Sequence, residues 1–163
     1  MHRFFFSLLI IFLPTQLGYH FWPEWAIVLG RRVDYLSSTL FFTDILVFLT
    51  LCFWVFSQQF QLSKFKISNP FVIVCLIIFA GLNIFFAASR PVAVYTWIKV
   101  LEFALLGYYI VKTKPAFLLI SNPLFISVLY SSLIAIMQFC FQHSIGGSLW
   151  LLGERTFTID TPG

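Results

Sequence analysis

Tyr95, Lys99, Glu102 and Tyr109 are spaced so that all four fall on one stripe of a helix with 3.6 residues per turn, with Trp97 on another side. Lys99 and Glu102 lie inside an apolar run, about 12 Å and about 16 Å along such a helix from Pro91. In a bilayer an ionisable side chain at that depth costs at least about 2.5–3.5 kcal/mol, so it faces a protein interior or a wet cavity. Two readings stand open for the pair. It is either a mutually satisfied ion pair that locks helix packing, or the wall of a polar cavity reached from outside.

A second set of candidates is cationic. Arg31 and Arg32 follow Gly30, Arg90 precedes Pro91, and Arg155 stands between Glu154 and a Thr-Phe-Thr stretch. A guanidinium offers a rigid, planar fork that engages two oxygens of a phosphate or carboxylate at once. Arg31, Arg32 and Asp34 either pair among themselves on the surface, or Asp34 holds one arginine and leaves the other for an anionic ligand. Glu154 either orients the Arg155 guanidinium or neutralises it. Gly153 and the Thr-Pro-Gly after Arg155 allow turns that bring backbone N–H groups near an anion.

Other chemistry finds no support in the sequence. His20 has no partner at metal-ligand spacing, and there is no nucleophile elbow, phosphate-cradling glycine loop or Cys-x-x-Cys motif. Cys52, Cys75 and Cys140 each sit in an apolar run, which reads as small membrane-embedded side chains and gives neither a disulfide framework nor a metal site. The net charge of +4 comes from bases scattered singly or in pairs, which argues against a nucleic-acid surface.

The elements that must position these residues are apolar. Hydrophobic residues make up 60% of the chain and charged residues 10%, where a soluble domain carries about 25% charge. A membrane-crossing helix needs about 20 apolar residues. The pattern predicts an all-α, polytopic transmembrane bundle forming one domain over residues 1–163, with about five membrane helices near 4–18, 39–57, 70–88, 92–111 and 122–142. The first of these follows His2 and Arg3, like the basic start of a signal peptide, but without a small-residue cleavage site, and so reads as a retained helix in preference to a cleaved signal or a re-entrant piece. Asn122-Pro123 is expected to start the last helix, because proline suits a first turn. In that helix Ser127, Ser131 and Ala135 repeat every four residues, a spacing that lets helices approach closely.

Basic residues set the expected orientation. With the amino terminus inside, Arg3, Lys64, Lys66, Lys112 and Lys114 are cytoplasmic, whereas Arg31, Arg32, Arg90 and Arg155 are exported. Every loop lysine is then inside and every outer base is an arginine. The outer loop at 14–39 carries tryptophans that read as interfacial anchors.

Five strings add a resemblance. Leu-Pro-Thr-Gln-Leu-Gly-Tyr-His-Phe-Trp-Pro (13–23), Arg-Val-Asp-Tyr-Leu-Ser (32–37) and Thr-Asp-Ile-Leu (43–46) resemble the start of O-antigen ligase/polymerase family proteins. So do Trp-Ile-Lys-Val-Leu-Glu-Phe (97–103) and Gly-Gly-Ser-Leu-Trp-Leu-Leu-Gly-Glu-Arg-Thr-Phe (146–157). The resemblance implies a multi-pass protein of the bacterial inner membrane. Such an enzyme transfers a glycan from an undecaprenyl pyrophosphate carrier to a lipid or glycan acceptor on the outer face, without a metal or cofactor. It also implies that outer-face arginines bind the pyrophosphate, with Arg155 the best match and Arg90, Arg31 and Arg32 as further ligands. The catalytic histidine of the family belongs to a large later loop, so His20 and His143 do not take that role. On this reading the chain is an amino-terminal part of a larger enzyme, with its catalytic residues downstream. Two other classes remain, a transporter or flippase using Lys99 and Glu102 as a midplane site, and a non-enzymatic membrane assembly protein.

Overall fold

The computed structural model describes residues 1–15, 17–33, 36–57 and 70–154. Five α-helices account for most of them: α1 (His2–Ile11), α2 (Phe42–Ser57), α3 (Pro70–Phe86), α4 (Arg90–Thr113) and α5 (Phe117–Phe141). Between α1 and α2 the chain folds as β-structure. Strands β1 (Gly18–Phe21) and β4 (Ser38–Phe41) pair antiparallel, Gly18 opposite Phe41 and Phe21 opposite Ser38. A smaller hairpin joins β2 (Ile27–Val28) to β3 (Arg31–Arg32).

The five-span, all-α expectation is therefore wrong. Two helices are long and apolar enough to cross a membrane, α4 with 24 residues and α5 with 25. At 1.5 Å per residue they reach about 36 Å and about 37 Å, more than the roughly 30 Å of bilayer hydrocarbon. The other three have 10, 16 and 17 residues, or about 15, 24 and 25 Å, and fall short of it. The expected first span ends early because the chain turns at Leu13–Pro14 and enters β1. The second loses residues 39–41 to β4, so its helix starts only at Phe42. Residues 58–69, with Lys64 and Lys66, lie outside the described residues.

The length of α4 and α5 does not come from a soluble core. Their apolar side chains point outward almost throughout, Ile98, Leu101, Phe103, Phe125, Ile136 and Phe139 among them. An apolar helix that is hardly buried by its own chain is of the kind that lies in a membrane or inside a larger assembly. The start of α5 departs from expectation. It begins at Phe117, and Pro123 lies inside it, where proline forgoes one backbone hydrogen bond.

The buried core is small and aromatic. Phe6 and Leu9 of α1 meet Leu46, Val47 and Trp54 of α2 and Tyr109 of α4. Tyr109 is fully buried, its ring edge-on to Trp54 and its Oη 3.0 Å from Nδ1 of His2. Burial, the amino-terminal charge and Arg3 hold His2 below the ordinary imidazole range. Ser127 is buried, Ser131 half-buried and Ala135 exposed, so the small-residue stripe of α5 is packed at its first member and open at its last.

Three contacts fix which ends lie together. The His2–Tyr109 contact puts the start of α1 at the end of α4. The Tyr95 hydroxyl donates to the Thr39 carbonyl (2.7 Å), which puts the β-structure at the start of α4. A Cβ on Gly153 would lie 2.9 Å from the Cα of Thr15, so the tail after α5 sits against the bend that leads into β1, at the same end. One end thus carries Arg31, Arg32 and Arg90, and the other carries Arg3, Lys112 and Lys114.

The β2–β3 turn has an unusual residue. Leu29 and Gly30 both have positive φ (51° and 76°), as a two-residue hairpin turn with the right twist requires. Glycine and asparagine suit that backbone, whereas a leucine there costs about 1 kcal/mol. The Leu29 side chain is 98% exposed, so no contact within the protein offsets that cost.

Candidate functional site

The α2 helix starts directly from β4, and its first turn carries Asp44. The carboxylate accepts the Phe41 N–H (2.8 Å), capping the strand-to-helix junction, where the helix dipole favours negative charge. The same oxygen forms an ion pair with Lys99 of α4. Lys99 also reaches Glu102, three residues on (3.4 Å), and its ammonium lies 5.6 Å from the ring centres of both Phe41 and Tyr95. The side chains of the three charged residues are only 15–19% exposed.

The expected Lys99–Glu102 pair is therefore one edge of a triad. Asp44, which hydropathy and stripe geometry leave unnoticed, provides the other edge. Its signal was an acidic residue at the head of an otherwise uncharged apolar run, the kind of position that asks for a partner. Two carboxylates against one ammonium leave an excess of one formal negative charge. The triad's own field therefore favours a cation or a proton over an anion.

The triad forms part of the wall of a cavity of about 620 Å³. Ser38, Thr39 and Leu40 of β4 border it at one end, with Phe48 and Leu51 of α2 and Ile98 and Leu105 of α4 along its length. Tyr95, Lys99 and Glu102 all line it, as their shared stripe predicts. Tyr109, the fourth member, lies instead in the aromatic core at the far end. Trp97 points the other way, against Phe79 and Asn83 of α3 (Nε1 to the Asn83 side-chain oxygen, 3.2 Å). The lining is apolar apart from the triad, Tyr95 and the β4 backbone and hydroxyls.

The arginines are placed at the same end of the molecule but do not line the cavity. Arg31 and Arg32 are exposed on β3, and the Arg32 guanidinium lies 5.3 Å from the Trp22 ring centre. Trp22 stacks on His20, whose Nδ1 is 2.8 Å from Ser37 Oγ and 3.0 Å from Thr39 Oγ1. The β1–β4 pairing thus connects Arg32, through two stacked rings, to the residues that border the cavity. Arg90 is exposed at the first residue of α4, 5.7 Å from the Phe85 ring centre. Asp34 and Arg155 lie outside the described residues, and so does any pairing through them.

Glu154 is described, and it is buried. Its carboxylate accepts the N–H groups of Ile145 and Gly146 (2.9 Å for Gly146) and the Gln138 amide. Burial works against its charge, but these hydrogen bonds and nearby His143 outweigh it and hold the carboxyl below the ordinary carboxylate range. Within the described residues the backbone N–H groups of this loop thus converge on a carboxylate of the chain itself.

Among the described residues no three His, Cys, Asp or Glu side chains converge as metal ligands. Comparison with protein-family models, with curated proteins and with solved structures finds no match for this chain.

Proposed function

We propose that this chain receives a glycan carried on an anionic polyprenyl pyrophosphate at the outer face of a bacterial inner membrane. In this reading it contributes to an enzyme that transfers the glycan from an undecaprenyl pyrophosphate carrier to a lipid or glycan acceptor. One observation carries the reading, the apolar cavity that runs down from β4 between α2 and α4. Its volume is within the range of about 300–1,000 Å³ typical of small-molecule sites. Tyr95 lies about 7 Å from the start of α4 and Glu102 about 18 Å, so the cavity covers the depth from the headgroups toward the middle of a bilayer. An isoprenoid segment fits such walls. A pyrophosphate at the upper end would meet Arg31, Arg32 and Arg90, and Arg155 by the resemblance of the 146–157 string. The triad ties α2 to α4 and forms part of the wall below, with Lys99 already engaged by two carboxylates.

The test is photolabelling of the purified protein in proteoliposomes with a diazirine-bearing polyprenyl pyrophosphate. Label is expected at Phe48, Leu51 and Leu105, competed by undecaprenyl pyrophosphate and not by undecaprenol. Label confined to the outward faces of α3 and α5, or indifferent to the pyrophosphate, removes the reading.

A second reading, proton-coupled transport, is favoured by the surplus negative charge of the triad. Ionisable groups at such depth mark proton and substrate paths in many carriers. There Glu102→Gln would abolish pH-driven substrate flux and leave photolabelling intact. In the transferase reading Glu102→Gln changes neither.

A further inference from the structure

We infer that the β2–β3 hairpin is a membrane-surface anchor, with Leu29 immersed at the boundary of an anionic lipid layer and Arg31 and Arg32 on its phosphates. Three observations combine. Trp25, Ile27, Val28 and Leu29 are successive large apolar side chains, broken by the buried Ala26, and all four are exposed. Leu29 at the tip holds a left-handed backbone that suits asparagine or glycine, without a contact from the protein in return. Arg31 and Arg32 follow within three residues and are exposed, complementary in charge to lipid phosphate.

The position of the hairpin fits that occupant. Tyr95 donates to the Thr39 carbonyl from about 7 Å below the start of α4, which places the β-structure at the end of a helix long enough to cross a bilayer. The headgroup layer is about 5–7 Å thick on each side of the hydrocarbon, so this end of the molecule lies within it. Aromatic and aliphatic side chains flanked by arginine are the composition that partitions there.

The experiment uses the full chain in nanodiscs, with Cys52, Cys75 and Cys140 replaced by serine and a spin label on Leu29→Cys. Collision with oxygen, which concentrates in hydrocarbon, is compared with collision with a water-soluble nickel chelate. In discs containing phosphatidylglycerol, oxygen is expected to exceed the chelate severalfold. The reverse ratio places the tip in water and overturns the proposal. Protection from both reagents places it against protein and overturns it equally. Arg31→Gln with Arg32→Gln, or discs of phosphatidylcholine alone, should each shift the label toward the chelate, and no shift in either removes the charge component. Leu29→Asn, which suits the turn better, separates anchoring from folding. Its thermal unfolding should be unchanged or improved, while a label moved to Val28→Cys becomes more chelate-accessible. Unchanged accessibility at Val28 would show that Leu29 does not hold the hairpin in the lipid.

Discussion

At the scale of single residues, the triad reverses a simple expectation. Viewed as a pair, Lys99 would be stranded by the loss of Glu102. With Asp44 also bonded to it, Glu102→Gln leaves one carboxylate for one ammonium, and the variant should unfold within a degree or two of the parent. Lys99→Met leaves two carboxylates facing each other in a poorly solvated site. It should cost about 1–3 kcal/mol, allowing for the partial exposure of the cluster, and the triple change Lys99→Met, Asp44→Asn, Glu102→Gln should recover most of that. Thermal unfolding of the four proteins in one detergent decides it, and a triple variant no better than Lys99→Met would dismiss the charge argument. Glu154 gives a pH dependence. Its carboxyl titrates lower in the folded loop than in an open chain, so the stabilisation is complete above the ordinary value of 4.5 and fades as pH falls through that value and then through the lowered one. Hydrogen exchange at the Ile145 and Gly146 amides, corrected for the intrinsic rate, should lose protection in that acid window. In Glu154→Gln the protection should be weak at every pH.

At the scale of elements, α4 was the most legible piece, because Arg90-Pro91 marks its start and Lys112–Pro115 its stop. Lys114 takes a left-handed conformation and returns its N–H to Ile110, and Pro115 cannot continue the helix. The β-structure was not legible. Thr39, Leu40 and Phe41 are as compatible with the head of a helix as with a strand, and their partners are Gly18 to His20, too far along the chain for a local pattern to register. The start of α5 was misread from Pro123, whose preference for a first turn is a tendency that an already apolar, helical run overrides. Within the site, Lys99 and Glu102 were legible from one helix, whereas Asp44 joins them only through the packing of a second. The element lengths carry their own prediction. In a glycosylation-mapped insertion assay, Arg90–Thr113 and Phe117–Phe141 should each span a membrane in isolation, and His2–Ile11 should not. An arginine in place of Leu129, the midpoint of α5, should lower insertion of that helix by about 2.5–3.5 kcal/mol. Spanning by the ten-residue segment would undo the length argument.

At the scale of the whole molecule, the division of its bases between two ends is the property most exposed to measurement. Arg31 and Arg90 share an end with the loop held by Glu154, and Lys112 shares the other with His2. Cysteines placed at Arg31 and at Lys112 in a cysteine-free protein should react with an impermeant maleimide from opposite faces of intact spheroplasts. Reaction of both from one face would break the pairing of ends that the Tyr95–Thr39 and His2–Tyr109 contacts impose.

Gly153 has φ of +93°, and a methyl group there would lie 2.9 Å from the Cα of Thr15, so the last described turn is seated on the bend that follows α1. At about 5–20 residues per second, a ribosome adds Gly153 some ten seconds or so after Thr15. For that interval the bend at Pro14–Thr15 has no lid, and the segment is open to proteases and folding helpers. A nascent chain stalled with Gly153 still in the exit tunnel should be cut near Thr15, and one stalled well after it should resist. Gly153→Ala should lengthen the vulnerable period even in the finished protein. The order of synthesis thus leaves the bend after α1 to be closed by a turn made more than a hundred residues later.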